Sequence, residues 1–216
     1  MRINKFVALA TGLSRRAADA AIAAGRVAVN GKLLSAGQQI SPSDAVTLDN
    51  QRIYTPNVKL VTIILHKPVG YVVSRMGQGS DTIYDLLPPD LHTLKPVGRL
   101  DKDSSGLLLL TNDGDLANQL THPRYAKTKI YEISLDKPLG EHDRQQIEQR
   151  VELDDSPSAL QLAGKGVQWT VTMREGRNRQ IRRTFAALGY TVVHLHRTHF
   201  GEYQLDKLKP GQYSQI

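Results

Sequence analysis

The 216-residue sequence contains no cysteine, which excludes disulfides and thiolate metal sites and fits an expected cytoplasmic location. It has no apolar stretch long enough to cross a bilayer, so no membrane partner is expected. The opening MRINKFVALATG lacks a long apolar centre and a small-residue cleavage site, and does not read as a signal peptide. No fixed-period repeat, low-complexity tract or coiled-coil heptad pattern is present, and a monomer is expected. No helix-turn-helix dimer pattern argues for a DNA-binding regulator.

What the chain does have is a positive surplus. Its formal net charge is +7, and its hydrophobic content of 40% suffices for a real core. Residues 1–58 carry seven basic and three acidic side chains, against 21 and 18 in the rest, so over half of the excess sits in about a quarter of the length. A concentrated basic surplus points to a polyanionic partner, nucleic acid before membrane.

The N-terminal segment has its own punctuation. Ile3, Phe6, Val7 and Ala10 recur at helical spacing up to Gly12, and Ser14 caps a second helix over 15–24 that stops at Gly25. Val27–Val29, the Asn30-Gly31 turn and 32–34 read as a short hairpin, and 45–49 as another strand. Residues 55–61 form a linker, with Pro56 and Asn57 breaking the pattern. Beyond it, strands are expected at 63–66, 71–74, 107–111, 129–135, 167–173 and 192–195. Helices are expected at 82–87, 116–120, 141–149 and 179–188. The irregular alternation predicts an α+β chain with a mixed, mainly antiparallel sheet flanked by helices.

Two strings carry the chemistry. Gly98–Gly114, GRLDKDSSGLLLLTNDG, sets Asp101 in a polar turn before four leucines. An apolar run bounded by turn residues reads as a strand buried on both faces, so Asp101 is anchored at the edge of a core. That position suits a nucleophile, which needs fixed geometry and a partly dry setting; by itself the stretch is also an ordinary turn. Glu175–Phe185, EGRNRQIRRTF, belongs to a stretch with five arginines between Arg174 and Arg183. Arg179, Arg182 and Arg183 crowd a helix start, where cations oppose the helix dipole, so a compensating anion is expected, either Asp101 or an RNA phosphate. In Lys129-Ile130-Tyr131, Lys129 and Tyr131 share one strand face. His194 and His196 also share a face and, with His199, raise a metal site as an alternative. No acidic residue follows at a familiar spacing, and no metal or other cofactor is expected.

The two strings resemble the active-site motifs of RNA pseudouridine synthases, in the branch that modifies ribosomal RNA. SRRAADAAIAAGRVAVNGKLL resembles an alpha-L RNA-binding domain, the kind found in a ribosomal small-subunit protein. His66-Lys67-Pro68-Val69-Gly70, the Arg197 string HLHRTHFG and the LKPGQY ending match the same family. The resemblance implies a small RNA-binding domain at 1–54 and a catalytic domain at 62–216. It makes Asp101, Tyr131 and Arg182 the catalytic group, with Arg182 paired to Asp101. It makes Arg2, Lys5, Arg15, Arg16, Arg26 and Lys32 RNA contacts, joined by Arg99, Arg177 and Arg179 around the cleft. The implied reaction converts a uridine of ribosomal RNA, free or in a pre-ribosomal particle, to pseudouridine on a flipped-out nucleotide without a cofactor. A large-subunit hairpin is the first expectation for the target. His66, Ser104 and Thr184 depart from the family's usual asparagine, threonine and methionine. The competing reading is a non-catalytic RNA-binding or ribosome-assembly factor, which has no need of an Asp101, Tyr131 and Arg182 constellation.

Overall fold

The computed structural model describes residues 1–33, 37–56 and 59–216, so Leu34 of the expected hairpin and Asn57 and Val58 of the expected linker lie outside the described residues. The chain divides into two compact units, Met1–Lys59 and Leu60–Ile216.

In the first unit, α1 (Ile3–Thr11) ends on Gly12, whose left-handed φ of 78° lets its N–H return to Ala8 O. Ser14 caps α2 (Arg15–Ala23), its side chain accepting from Ala17 N. Then β1 (Val27–Val29) and β2 (Lys32–Leu33) form a hairpin through Asn30 and Gly31, at φ 51° and 76°. Two successive left-handed residues are what the tight turn between twisted strands needs, hence Asn-Gly. With β3 (Val46–Leu48) and β4 (Gln51–Arg52) these strands make a sheet of order β2-β1-β3-β4. Ile3, Val7, Ala18, Ile22, Val27 and Val46 fill the core between helices and sheet.

The second unit is built on a mixed nine-stranded sheet. Its strands are β5 (Thr62–Lys67), β6 (Lys95–Pro96), β7 (Ser105–Thr111), β8 (Lys129–Leu135), β9 (Gln161–Lys165), β10 (Gln168–Met173), β11 (Val192–Phe200), β12 (Tyr203–Gln204) and β13 (Tyr213–Gln215). Seven run in the order β13-β5-β7-β11-β8-β10-β9, with β6 on β7 and β12 on β11. Only β7 and β11 pair in parallel, which agrees with the expected mainly antiparallel sheet. Helices α3 (Gly114–Thr121), α4 (Glu141–Gln149) and α5 (Gln180–Ala186) flank it. Every residue of β7 is buried, because Leu108 and Leu110 face the larger core while Leu107 and Leu109 face a second one with Ile64, Leu120 and Phe200.

Three expected elements change character. Residues 71–74 form no strand; Val72 makes a single bridge to Thr82 and the backbone hooks onto Asp81 and Ile83 instead. The expected helix at 82–87 is a 3₁₀ turn over Ile83–Leu86, closed at its start by a reciprocal Thr82–Asp85 cap and stopped before Pro88-Pro89. The expected helix at 179–188 shortens to α5, because Arg179 sits in the left-handed region at φ 46° and Gly189 turns the chain away at φ 77°. In the opposite direction, β11 runs five residues past its expected end, with register shifts that its polar HLHRTHF pattern conceals.

Candidate active site

The strand ends of the second unit enclose a cleft of about 560 Å³. Asp101 reaches it from the turn before β7, Tyr131 and Lys129 from β8, Arg197 from β11, and Arg177 and Arg179 from the segment leading into α5.

The Asp101 turn is held from beneath. Ser104 N donates to Asp101 O at 3.1 Å, which closes the turn. Lys67 Nζ donates to Asp101 O at 3.0 Å, to Ser104 O at 2.7 Å and to Pro68 O at 3.0 Å. Lys67 is fully buried, and burial lowers its ammonium pKa to about 8, opposed by the Asp101 and Asp103 charges. On the far side of the turn, Gly106 lies at φ 108°, and a Cβ there would fall 2.2 Å from Arg197 O. Only a residue without a side chain lets β7 and β11 approach this closely beside the turn.

The anion expected near the arginines is chiefly Asp103, joined by Asp101 and Asp155. Arg179 grips Asp103 with two hydrogen bonds, 3.1 and 3.0 Å, and reaches Asp101 Oδ2 at 3.4 Å. The Arg179 hydrogen bonds hold the Asp103 carboxyl below the usual carboxylate range. Arg179 adopts its left-handed backbone where two aspartates bind its side chain, an uncommon conformation for a non-glycine residue.

The expected Asp101–Arg182 ion pair is not formed. Arg182 Nη2 donates to Asp103 O at 2.9 Å, its Nη1 donates to Val192 O, and its Nε lies 3.3 Å from Asp103 Oδ2. It therefore ties the turn to β11 one step away from Asp101. The reason is reach. From the first turn of α5 the Arg182 head meets the backbone of the turn, and Arg179, one helical turn earlier, meets the carboxylates.

Three expected RNA contacts have protein partners: Arg179, on Asp103 and Asp101, and Arg177 and Arg26. Arg177 donates to Asp155 Oδ1, Ser156 O, Pro157 O and Glu175 Oε1, and so clasps the 155–157 loop. Arg26 pairs with Asp49 through two hydrogen bonds on the surface of the first unit. Arg2, Arg15, Arg16 and Lys32 are exposed there, and Lys5 is half-buried. Arg99 is exposed at the cleft, as is Arg174, which the arginine count alone did not distinguish.

The three histidines do not converge. His194 and His196 stack at 5.9 Å, and His66 meets His196 edge-on at 5.2 Å. His196 Nδ1 pairs with Ser105 Oγ and His66 Nδ1 with Leu208 O, while His199 lies beyond a register shift. Among the described residues no group of three or more His, Asp or Glu is placed to hold a metal ion, and no helix is long and apolar enough to cross a membrane.

Comparison with known proteins assigns the whole arrangement to one lineage. The RNA pseudouridylate synthase family matches residues 61–187, which span the Asp101 turn, Tyr131 and the arginine segment. The chain belongs to that family. The S4 domain family matches residues 1–46 of the same synthase. An uncharacterized RNA pseudouridine synthase of Aquifex aeolicus is 35% identical over 226 residues, covering 100% of this chain and 90% of that protein. The ribosomal small subunit pseudouridine synthase A of Salmonella typhimurium is 35% identical, covering 99% and 95%, and that of Escherichia coli K12 is 34% identical with the same coverage. A crystal structure of a pseudouridylate synthase superposes with a TM-score of 0.72 at 33% identity, covering 100% of this synthase and 96% of that chain.

Sequence reasoning missed Lys67, Asp103 and Asp155 as parts of this site. Asp103 reads as a turn former, and Asp155 lies in a polar loop that no local pattern links to α5. The signals that pointed to Lys67 were its place at the end of a largely apolar strand and the His66-Lys67-Pro68-Val69-Gly70 string.

Proposed function

We propose that the synthase isomerises a specific uridine of ribosomal RNA in the cytoplasm, with Asp101 as its catalytic carboxylate. In that isomerisation the C1′–N1 bond breaks and a C1′–C5 bond forms. C5 gives up its proton and N1 takes one, so nothing is consumed. The observation that carries the reading is that Asp101 and Tyr131 open onto one cleft of a pseudouridylate synthase, with the Asp101 turn anchored by a buried lysine. Asp101 acts on the sugar or the base, and Tyr131 packs against the uracil, as an aromatic ring does with an unstacked base. Arg179 holds positive charge beside Asp101 and fixes the direction of its carboxylate. Arg182 is a positioning residue for the turn. Arg99 and Arg174 at the cleft, and Arg2, Lys5, Arg15, Arg16 and Lys32 in the first unit, contact phosphates, which position RNA without reading its sequence.

The names of the relatives favour a small-subunit target over the large-subunit hairpin that the sequence first suggested. The test uses the purified protein and its Asp101→Asn variant on unmodified transcripts of both subunit RNAs, with pseudouridine mapped at single-nucleotide resolution. One new site, made by the unmutated protein and absent with a variant that still binds RNA, is expected. Turnover retained by Asp101→Asn would remove Asp101 from the chemistry, and a site on large-subunit RNA alone would reverse the choice of target.

A further inference from the structure

The proposed mechanism gives no task to Lys129 and Arg197, which both line the cleft beside Tyr131. Arg197 is 2% exposed, yet lines the cleft. Its Nε donates to Leu107 O at 2.8 Å, while its Nη2 is buried with no hydrogen-bond partner. Arg197 stands opposite Tyr131 in the β8–β11 register, and Lys129 is two residues from Tyr131 on the same strand face. The Lys129 ammonium lies 5.1 Å and the Arg197 guanidinium 4.9 Å from the centre of one ring, Phe200. Among the described residues no carboxylate lies within 4 Å of either cation. Glu175, an acid of the cleft wall, offers Lys129 its backbone oxygen at 3.4 Å while its carboxylate serves Arg177 and Gln180.

Two cations side by side are costly. Burial first, and then the Arg197 charge, lower the Lys129 pKa, and the Glu175 charge offsets them only in part. A buried, unpaired guanidinium nitrogen is likewise unfavourable and calls for an explanation. The arrangement makes sense if the missing acceptor arrives with the substrate. A phosphate is the poorer fit, because Arg197 is on the floor beside Tyr131, whereas the exposed cations suited to a backbone, Arg99 and Arg174, stand where solvent reaches them.

Resting on the reaction proposed above, we infer that Lys129 and Arg197 form a cationic floor that binds the uracil carbonyl oxygens and stabilises the base as an anion when it leaves the sugar. As C1′–N1 breaks, its electron pair departs with the base and spreads over N1 and the carbonyl oxygens. C1′ is left electron-deficient, and the charge on the base persists until C5 bonds to C1′; C5 then gives up its proton and N1 takes one. Fixed cations in a partly dry cleft favour that state over the neutral bound nucleoside, which is what accelerates the step.

The test exploits the leaving group. Fluorine at C5 makes the departing base a weaker base, so bond breaking depends less on cationic help. Fluorine cannot leave as a cation, so the assay reads loss of the N1-linked nucleoside under single turnover with enzyme in excess. With uridine RNA, Lys129→Met is expected to slow cleavage by about 100-fold, the scale of losing one preorganised charge-stabilising donor. With 5-fluorouridine RNA the same variant's defect is expected to shrink by about tenfold, because less transition-state charge remains to be stabilised. Lys129→Arg keeps the cation and is expected to recover most of the rate on both RNAs. RNA affinity should stay unchanged throughout.

An equal defect on both RNAs, or no rescue by arginine, would make Lys129 a packing residue and overturn the inference. Weaker binding at an unchanged saturated rate, with the salt slope lower by about one, would mark a phosphate contact and also overturn it. If the unmutated protein modifies no ribosomal RNA, the proposed reaction falls first. If it modifies RNA and Lys129→Met does so equally well, only the cationic floor falls.

Discussion

Replacing Lys67 with methionine tests how the Asp101 turn is held. Methionine keeps the length of the stem and removes the ammonium that donates to Pro68 O, Asp101 O and Ser104 O. Asp101 O would keep its bond from Ser104 N, while Pro68 O and Ser104 O lose the ammonium donor. A hydrogen bond to a charged group contributes about 1.5–3 kcal/mol, and the lysine's own desolvation, seen in its lowered pKa, offsets part of that. A net loss of about 2–4 kcal/mol at pH 7 follows.

The pH dependence makes the prediction specific. The folded-state pKa of Lys67 is about 8, below the ordinary 10.5. Between those values the unfolded chain holds a proton that the folded chain has released, so stability rises with pH. The gap between the parent protein and Lys67→Met should therefore widen by about 1 kcal/mol from pH 7 to pH 9. Urea unfolding of both proteins at the two pH values measures it. Parallel curves would refute the idea of an isolated buried ammonium beneath the turn. A turn that loses its support should also slow pseudouridine formation by about 100-fold, since misplacement by about 1 Å is enough, while RNA affinity is kept.

Three further outcomes are expected. Gly106→Ala should destabilise the protein by at least about 1–3 kcal/mol, because its φ of 108° is unfavourable for alanine and the new Cβ meets Arg197 backbone atoms; an unchanged urea midpoint would show that β7 and β11 can part without cost. Arg182→Ala should cost about 2–3 kcal/mol by releasing Val192 O and the Asp103 turn, read by thermal melting, and an unchanged melting temperature would mean those contacts are replaceable. The Asp155 carboxyl is held at about 2, chiefly by Arg183, so its stabilising effect is present above the ordinary value of 3.8 and fades as pH falls toward 2. Asp155→Asn should flatten that part of the acid-unfolding curve, and identical curves would dismiss the clasp.

Local order determined much of this protein. Gly12, Ser14 and Asn30-Gly31 place the helices and hairpin of the first unit through backbone preferences that act within a few residues. The leucine run defines β7, and alternation places Lys129 and Tyr131 on one face of β8. Periodicity and composition alone were enough for the α+β class and a mainly antiparallel sheet. The family strings brought Asp101, Tyr131 and the arginines into one candidate site. Tertiary structure decided which arginine meets which acid. Arg179 and Asp101 are 78 residues apart, as Lys67 and Asp101 are 34 apart and Arg197 and Leu107 are 90 apart. Contacts at such distances are set by strand order, register shifts and one left-handed residue before α5, which no nearby spacing encodes. Burial likewise belongs to the assembled sheet. A lysine and an arginine that look solvent-bound in the sequence become the buried support of the Asp101 turn and the floor of the cleft, because β5, β7 and β11 close over them.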